Sequence, residues 1–598
     1  MTAAVADVLD QEGHLVVQAG TGTGKSLAYL IPIALSGRRT VIATATKALQ
    51  DQLAKKDLPF LNEQLGSDVD FSVLKGRSNY LCRQRLDEID GDDRLELEVV
   101  DDPVDAATVA ILRRFAASTD SGDRADLTAD ISDKTWRMIS VGADECPGAA
   151  RCPHGDDCFA ELARHRAAAA DVVIVNLHLY ALHVTTQGIL PDHDVVIIDE
   201  AHQLEDIVSE AAGCALTPGR CAAVARIAGT ILAEREPTDD LEDAGHRLRD
   251  AIWTKVGARL TDGLDEETAR AVELIRSRTD RVIQALRAVP EDSPPEVGAR
   301  VQRARQSATS LLDDIERVRF PSEHDVLWVD GPPTNPALRT TPVMIDDILD
   351  ENLWSKRSAV LTSATLSSNL VEQLGLPPTA ETSDVGSPFD YETQALLYCP
   401  TDLPDPRSPD GTEIRLAELE SLIVAAGGRT LALFTSLSAM REAAAALESR
   451  LPWDVLVQGQ RSKAALLAEF TDNDETCLFA TISFWQGVDV PGSSCSLVAI
   501  DRIPFPRPDD PVLQARRERA GASAFRAIDL PRAATMLAQG VGRLVRTRTD
   551  RGVVAVLDPR LATSRSYRWD LIRALPPIPR TKDRADVIGF LKRIRDRN

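Results

Sequence analysis

The amino-acid sequence predicts an α/β protein of two parallel-sheet lobes, the first interrupted by two insertions. Three observations carry that reading. The chain has 598 residues, more than one core usually holds. Short apolar runs alternate with helical patterns towards both ends, as in parallel sheets covered by crossover helices. Between those runs lie two long stretches with almost no strand pattern.

The first lobe opens over residues 1–75. A helix leads into a strand at Leu15–Ala19, a Gly-rich turn, and a helix from about Lys25. A strand at Thr40–Ala45 and a helix at Lys47–Leu53 follow. Over 76–165 the pattern gives way to a polar segment with four clustered cysteines, which reads as an insertion. Strands return within 166–204, at Asp171–Asn176 and Asp194–Asp199. Residues 205–335 are rich in Ala, Leu, Arg and Glu at helical spacing and read as a second, helical insertion. The lobe closes over 336–398 with a strand at Ser358–Thr362. The second lobe takes 399–598, with strands at Thr430–Phe434, Thr476–Thr481, Ser496–Asp501 and Gly552–Leu557.

Composition narrows the class. Hydrophobic residues at 43% and charged residues at 27% are a globular balance, and no run of about 18 apolar residues predicts a membrane span. The polar, acidic N-terminus does not read as a signal peptide, so a cytoplasmic protein is expected. The net charge of −24 argues mildly against nucleic-acid binding, although it says little about a local basic groove.

Residues Ala19-Gly-Thr-Gly-Thr-Gly-Lys-Ser26 sit between a strand and a helix. Glycines such as Gly22 and Gly24 let backbone N–H groups turn inward on phosphate oxygens, and the helix N-terminus adds favourable partial charge. Lys25 is placed to reach the β- and γ-phosphates of ATP, and Ser26 to hold Mg²⁺. Asp199-Glu-Ala-His202 ends an apolar strand. Asp199 there can hold the same Mg²⁺, and Glu200 can orient or deprotonate the attacking water. In Gln539-Gly-Val-Gly-Arg-Leu-Val-Arg546, Arg543 and Arg546 stand three apart, expected on one helical face. An arginine there can reach the γ-phosphate across a cleft; alone, the pair would read as surface arginines.

These segments occur in one order with Thr44-Ala-Thr-Lys-Ala-Leu-Gln50, Thr362-Ser-Ala-Thr-Leu366, Leu433-Phe-Thr-Ser436 and Ser483-Phe-Trp-Gln-Gly-Val-Asp-Val-Pro491. The series resembles the motifs of superfamily-2 helicases, and over nearly the whole chain it is most similar to the DinG branch of the XPD-like DNA helicases. Ala19 stands where the strict phosphate loop has Gly, a departure that superfamily-2 loops share. The resemblance implies two RecA-like P-loop lobes, with an iron–sulfur insertion and a helical arch insertion in lobe 1. It implies that Gly487, Asp489 and Gln539 line the ATP cleft, and that Ser363–Thr365 couple nucleotide state to DNA grip. Thr44, Thr46, Thr435 and Ser436 would contact the DNA backbone. Implied partners are single-stranded DNA and forked or tailed duplex; implied movement is 5′→3′, by a monomer, in repair or replication. A translocase or R-loop remodeller with little duplex unwinding, and a non-catalytic scaffold, remain the alternatives. The family's adenine-reading Gln motif upstream of the loop is not found, so the start of this chain is expected to lack a segment.

Cys82, Cys146, Cys152 and Cys158 have 63, 5 and 5 residues between them. Structural zinc sites favour shorter gaps, whereas four thiolates can hold a [4Fe–4S] cluster. The resemblance places such a cluster here; zinc and unliganded thiols are the alternatives. Tyr80 and Phe159, beside these cysteines, read either as base-stacking groups or as packing, with packing favoured.

Overall fold

The computed structural model describes residues 1–20, 22–66, 68–90, 105–290, 295–367, 369–408, 411–481, 484 and 494–596. Strands β1 (His14–Gln18), β2 (Thr40–Thr44), β3 (Phe71–Val73), β4 (Val172–Asn176) and β5 (Val195–Asp199) belong to the first lobe. Strands β6 (Cys214–Leu216), β7 (Asp325–Asp330) and β8 (Ala337–Pro342) form a small separate sheet. Strands β9 (Ser358–Ser363) and β10 (Glu381–Asp384) return to lobe 1, whose sheet has the order β10-β1-β9-β5-β2-β4-β3. The second lobe is built from β11 (Ala395–Tyr398), β12 (Thr430–Phe434), β13 (Val455–Val457), β14 (Cys477–Thr481), β15 (Leu497–Ile500), β16 (Gly552–Val556) and β17 (Arg580–Thr581), in the order β13-β14-β12-β15-β16-β11-β17. Among the described residues, every pairing in both large sheets is parallel. The expected pair of RecA-like lobes is therefore present.

The strand period of two puts alternate residues on opposite faces. In lobe 1, Val16, Val41, Val173, Val196 and Leu361 enter one core, and Val17, Ile42, Ile174, Ile197 and Val360 enter the other. Lobe 2 repeats the scheme, with Leu431, Leu433, Val498 and Val554 on one side and Ala432, Phe434, Ala499 and Ala555 on the other. Strands buried on both faces read as continuous apolar runs, which is why the sequence shows them clearly.

The cysteine-bearing segment shares lobe 1's core through Leu81, Leu86, Leu112 and Trp136. Tyr80 is 4% exposed and Phe159 is 2% exposed in that same core, so both are packing residues. The helical segment has its own core on helices Pro218–Gly229, Glu236–Ile252, Glu266–Arg287 and Pro295–Arg319, with Val224, Leu248, Ile275 and Ile315 at the centre. It also has β6–β8 at its base, an antiparallel sheet that the helical reading did not include. Among the described residues no helix is long and apolar enough to cross a membrane.

Candidate active site

The carboxyl ends of parallel strands form the site, as expected of open α/β sheets. Strands β1, β9 and β5 are neighbours, so Gln18 pairs with Ser363 and Asp199 with Thr362. The loop after β1 is pinned by Ala19 N–H donating to Ser363 O at 2.9 Å and Gly20 N–H donating to Gly386 O at 3.2 Å. Gly22 and Gly24 have φ of 74° and 75°, a region that disfavours side chains. A Cβ on Gly22 would also lie 2.4 Å from the Phe389 ring. Lys25 starts the helix Lys25–Ser36, so the loop delivers it together with that helix's free N–H groups.

Asp199 is 2% exposed. Burial raises its pKa, and the nearby Lys25 charge pulls it back. Glu200 has φ 59°, an uncommon value for a side-chain-bearing residue, and follows the strand end. Its carboxylate accepts from Ser363 Oγ at 3.1 Å and lies 3.4 Å from His202 Nδ1. Burial opposes its ionisation, but Lys25, His202, the Ser363 hydroxyl and Arg543 together hold it below the ordinary carboxylate range. Lys25, Glu200 and Arg543 are thus near enough to influence one another, bringing three separated motifs into one electrostatic unit.

Gln539 closes the cleft. Its Nε2 lies 2.7 Å from His202 Nε2 and 3.4 Å from Thr365 Oγ1. The helix carrying it, Leu530–Val541, ends at Val541, so Arg543 and Arg546 do not share a helical face as the spacing suggested. Gly542 N–H donates to Ala538 O and Arg543 N–H to Gly540 O, tightening the chain out of the helix. Arg546 and Thr547 N–H both donate to the buried Asp550 carboxylate at 2.8 Å, which fixes the segment beyond. Gly487 and Asp489 lie outside the described residues.

Thr46 caps the helix Lys47–Gln52, its Oγ accepting from Leu49 N–H at 3.3 Å. Ser436 does the same in lobe 2 for Leu437–Leu447, accepting from Ala439 N–H at 3.2 Å. Thr44 is fully buried, and its hydroxyl donates to Thr46 O. It braces the cap and does not present a surface to a DNA backbone, contrary to its expected role. Thr435 N–H donates to Asp501 Oδ1 at 3.0 Å, and burial pushes Asp501 up to about 6.

Cys82, Cys146, Cys152 and Cys158 all line one cavity of about 40 Å³, together with Arg77 and with Ala299 and Arg303 from the helical segment. All four are partly exposed, whereas Cys221, Cys399, Cys477 and Cys495 are buried. Among the described residues no three or more His, Cys, Asp or Glu side chains stand arranged to hold a metal ion. The donor set still fits a thiolate-held group, because four sulfurs share one enclosure and no competing carboxylate lines it. Burial pushes the Cys82 thiol up to about 12, so its proton must leave when a cation binds. His154 lies 2.9 Å from Asp87 and 3.3 Å from Asp157 and is not among the cavity residues.

Fold and site together define two RecA-like P-loop lobes facing each other across a nucleotide cleft. The family model described as "DEAD/DEAH box helicase" matches residues 2–91, and "Helicase C-terminal domain" matches residues 419–578. The "ATP-dependent helicase DinG" of Mycobacterium tuberculosis (strain ATCC 25618 / H37Rv) is 40% identical, with 99% of this chain and 94% of that protein covered. The "ATP-dependent DNA helicase YoaA" of Escherichia coli (strain K12) is 35% identical, with 99% and 95% covered. An XPD helicase structure shares the fold at TM-score 0.61 and 15% identity, with 97% of this chain and 98% of that chain covered. The chain belongs to the DinG/YoaA family of ATP-dependent helicases.

Proposed function

We propose that this protein is an ATP-driven DNA helicase that moves 5′→3′ on single-stranded DNA and opens forked or tailed duplex in repair or replication, working as a cytoplasmic monomer. The observation that carries the reading is the convergence of Lys25, Asp199, Glu200 and Arg543 on one cleft, bridged between lobes by Gln539 and His202. Lys25 and the loop N–H groups cradle the phosphates, Ser26 and Asp199 take Mg²⁺, Glu200 orients water, and Arg543 and Arg546 offset charge on the γ-phosphate. Motif order assigns Gly487 and Asp489 to the ATP cleft as well. Thr46, Thr435 and Ser436 mark the strand-facing ends of β2 and β12, where hydroxyl and backbone groups hold phosphates without reading sequence. Separating one base-pair step costs about 1–2 kcal/mol, which one ATP per short step covers.

The domain reading is part of the same proposal: iron–sulfur insertion over 76–165, arch over 205–335, lobe 1 on 1–75, 166–204 and 336–398, and lobe 2 on 399–598, with two boundaries shifted because β8 (Ala337–Pro342) pairs within the sheet at the arch's base and β11 (Ala395–Tyr398) pairs within lobe 2. Cys82, Cys146, Cys152 and Cys158 would hold a [4Fe–4S] cluster, which when bound supplies a four-point tie across a segment otherwise linked by short elements.

The test is strand displacement with anaerobically purified protein and Mg-ATP on matched duplexes bearing a 5′ or a 3′ single-stranded tail. Opening of the 5′-tailed duplex alone is expected. No opening on either, with DNA-stimulated hydrolysis intact, replaces the helicase reading with a translocase or hybrid remodeller.

A further inference from the structure

The helix Leu530–Val541 is tied to lobe 1 at both ends, and only one tie involves a residue read as belonging to the cleft. At its far end Gln539 reaches His202 and Thr365. Near its start Arg532 grips the helix that follows the acidic box, Leu204–Ala212. Arg532 Nη1 donates to Asp206 Oδ2 at 2.7 Å, and Nη2 donates to Asp206 Oδ1 at 2.9 Å and to Glu205 Oε2 at 2.6 Å. A guanidinium forked over one carboxylate and touching a second fixes direction as well as distance.

The spacing makes the two ties act together. Arg532 and Gln539 are seven residues apart, so they lie about two turns, or about 10.5 Å, along one helical face. Their lobe 1 partners, His202 and Asp206, are four residues apart, about one turn. One stretch of lobe 2 helix is therefore registered against one stretch of lobe 1 directly behind Asp199 and Glu200. A single contact would leave the helix free to swing; two fix its axis. Asn369 Nδ2 donating to Ala527 O at 2.8 Å holds the chain just before the helix to lobe 1 as well.

Asp206 also gathers a second cation. Arg516 Nη1, from the neighbouring helix Pro511–Ala520, donates to Asp206 Oδ1 at 2.9 Å, and its Nε donates to Val343 O at 3.0 Å. Although burial opposes it, hydrogen bonds and charge from Arg532 and Arg516 hold Asp206 down at about 2, so the carboxylate stays ionised throughout the working range. Arg543 leaves the helix two residues past its end, so the helix axis decides where that guanidinium goes.

We propose that Arg532 is a positioning residue for ATP hydrolysis: its clasp on Glu205 and Asp206 registers the helix Leu530–Val541 against the acidic box and so places Arg543 at the γ-phosphate. This rests on the reading of Arg543 as a cleft residue given above.

The experiment is steady-state ATP hydrolysis by the full chain with saturating single-stranded DNA, comparing wild type, R532Q, R532K, R543A and R532Q/R543A, with thermal unfolding recorded for each. A displaced arginine should lower kcat about ten- to a hundredfold in R532Q with ATP KM little changed, because misplacing a group by an ångström suffices for that. R532K should recover part of the loss, having the charge without the fork. R532Q/R543A should be no slower than R543A alone, since a residue acting through Arg543 has nothing left to position. An unchanged kcat in R532Q, or an additive loss in the double variant, overturns the proposal while the Arg543 reading survives. An unchanged kcat in R543A instead removes the reading beneath it. Lowered melting with an unchanged kcat would show the clasp to be structural only, which also overturns it.

Discussion

Gln539 on lobe 2 lies 2.7 Å from His202 Nε2 on lobe 1. With the Gln539 amide nitrogen donating, His202 Nε2 accepts and the ring proton sits on Nδ1, which lies 3.0 Å from Ser363 Oγ. Ser363 in turn donates to Glu200. A lobe 2 side chain is thus linked through a neutral imidazole and a hydroxyl to the Glu200 carboxylate. Burial lowers the His202 pKa, which keeps the ring in the form this chain needs. His202→Ala and Gln539→Ala should each slow DNA-stimulated ATP hydrolysis, and the double variant should be slower than neither. A double-mutant cycle should return a coupling of about 0.5–3 kcal/mol; independent, additive losses would mean that the contact carries no signal.

The four partly exposed cysteines around one cavity lead to a metal prediction. Cys152→Ser should lose iron, measured as iron per chain after anaerobic purification, and should lose strand displacement. Lobe 2 has its own core on both sheet faces and lobe 1 has one on the face away from the cysteine-bearing segment, so the major thermal transition should persist. Full iron with full unwinding would show the sulfur to be dispensable, and zinc in place of iron would select the other metal.

What the sequence made legible was local. The phosphate loop and the acidic box each need a few residues with particular backbone freedom or charge, and these stand side by side in the chain. Doubly buried strands such as β5 advertise themselves as apolar runs. The edge strand β10 does not, because Glu381-Thr-Ser-Asp384 is polar and gives no alternation. The end of the helix at Val541 was hidden because Leu544 and Val545 continue an apolar pattern while both are buried in irregular chain. Arg532 and Asp206 are 326 residues apart, and nothing near either signals the other. Thr44 was assigned to DNA from motif order, which ranks residues but does not say which hydroxyl faces outward.

A buried pair of histidines predicts how stability depends on pH. His183 and His193 are 3% and 9% exposed, with ring centroids 5.6 Å apart. Burial lowers them to about 4 and about 3, and the nearby Arg357 charge adds to the effect. The unfolded chain therefore binds these protons first, from about pH 6.5 downward. The stability they contribute as neutral rings is complete above about pH 6.5 and is lost as pH falls towards 4 and then 3. The melting temperature should drop between about pH 7 and 5, and His193→Asn should flatten that slope whatever it does to the melting temperature itself. An unchanged slope would place the acid sensitivity elsewhere.

The helical segment meets the cysteine-bearing segment through Arg303, whose Nη1 donates to Glu88 at 2.7 Å while its side chain is 6% exposed. Arg303 and Ala299 also line the cysteine cavity, so this contact is part of the enclosure around the four sulfurs. A second bridge, Arg220 to Asp144 at 2.9 Å, joins the same two segments. Neutralising Glu88 leaves a buried guanidinium without its counter-charge, which costs about 3–5 kcal/mol when a buried pair is broken on one side. That cost is relieved most simply if the helix Pro295–Arg319 draws away from the cavity, because the Arg220 bridge is less buried and yields more readily. Glu88→Gln should therefore release iron to a chelator faster than wild type, and in metal-free protein should speed alkylation of the four cavity cysteines but not of buried Cys477. Equal rates in both assays would show that the contact with the helical segment does not control access to the sulfurs.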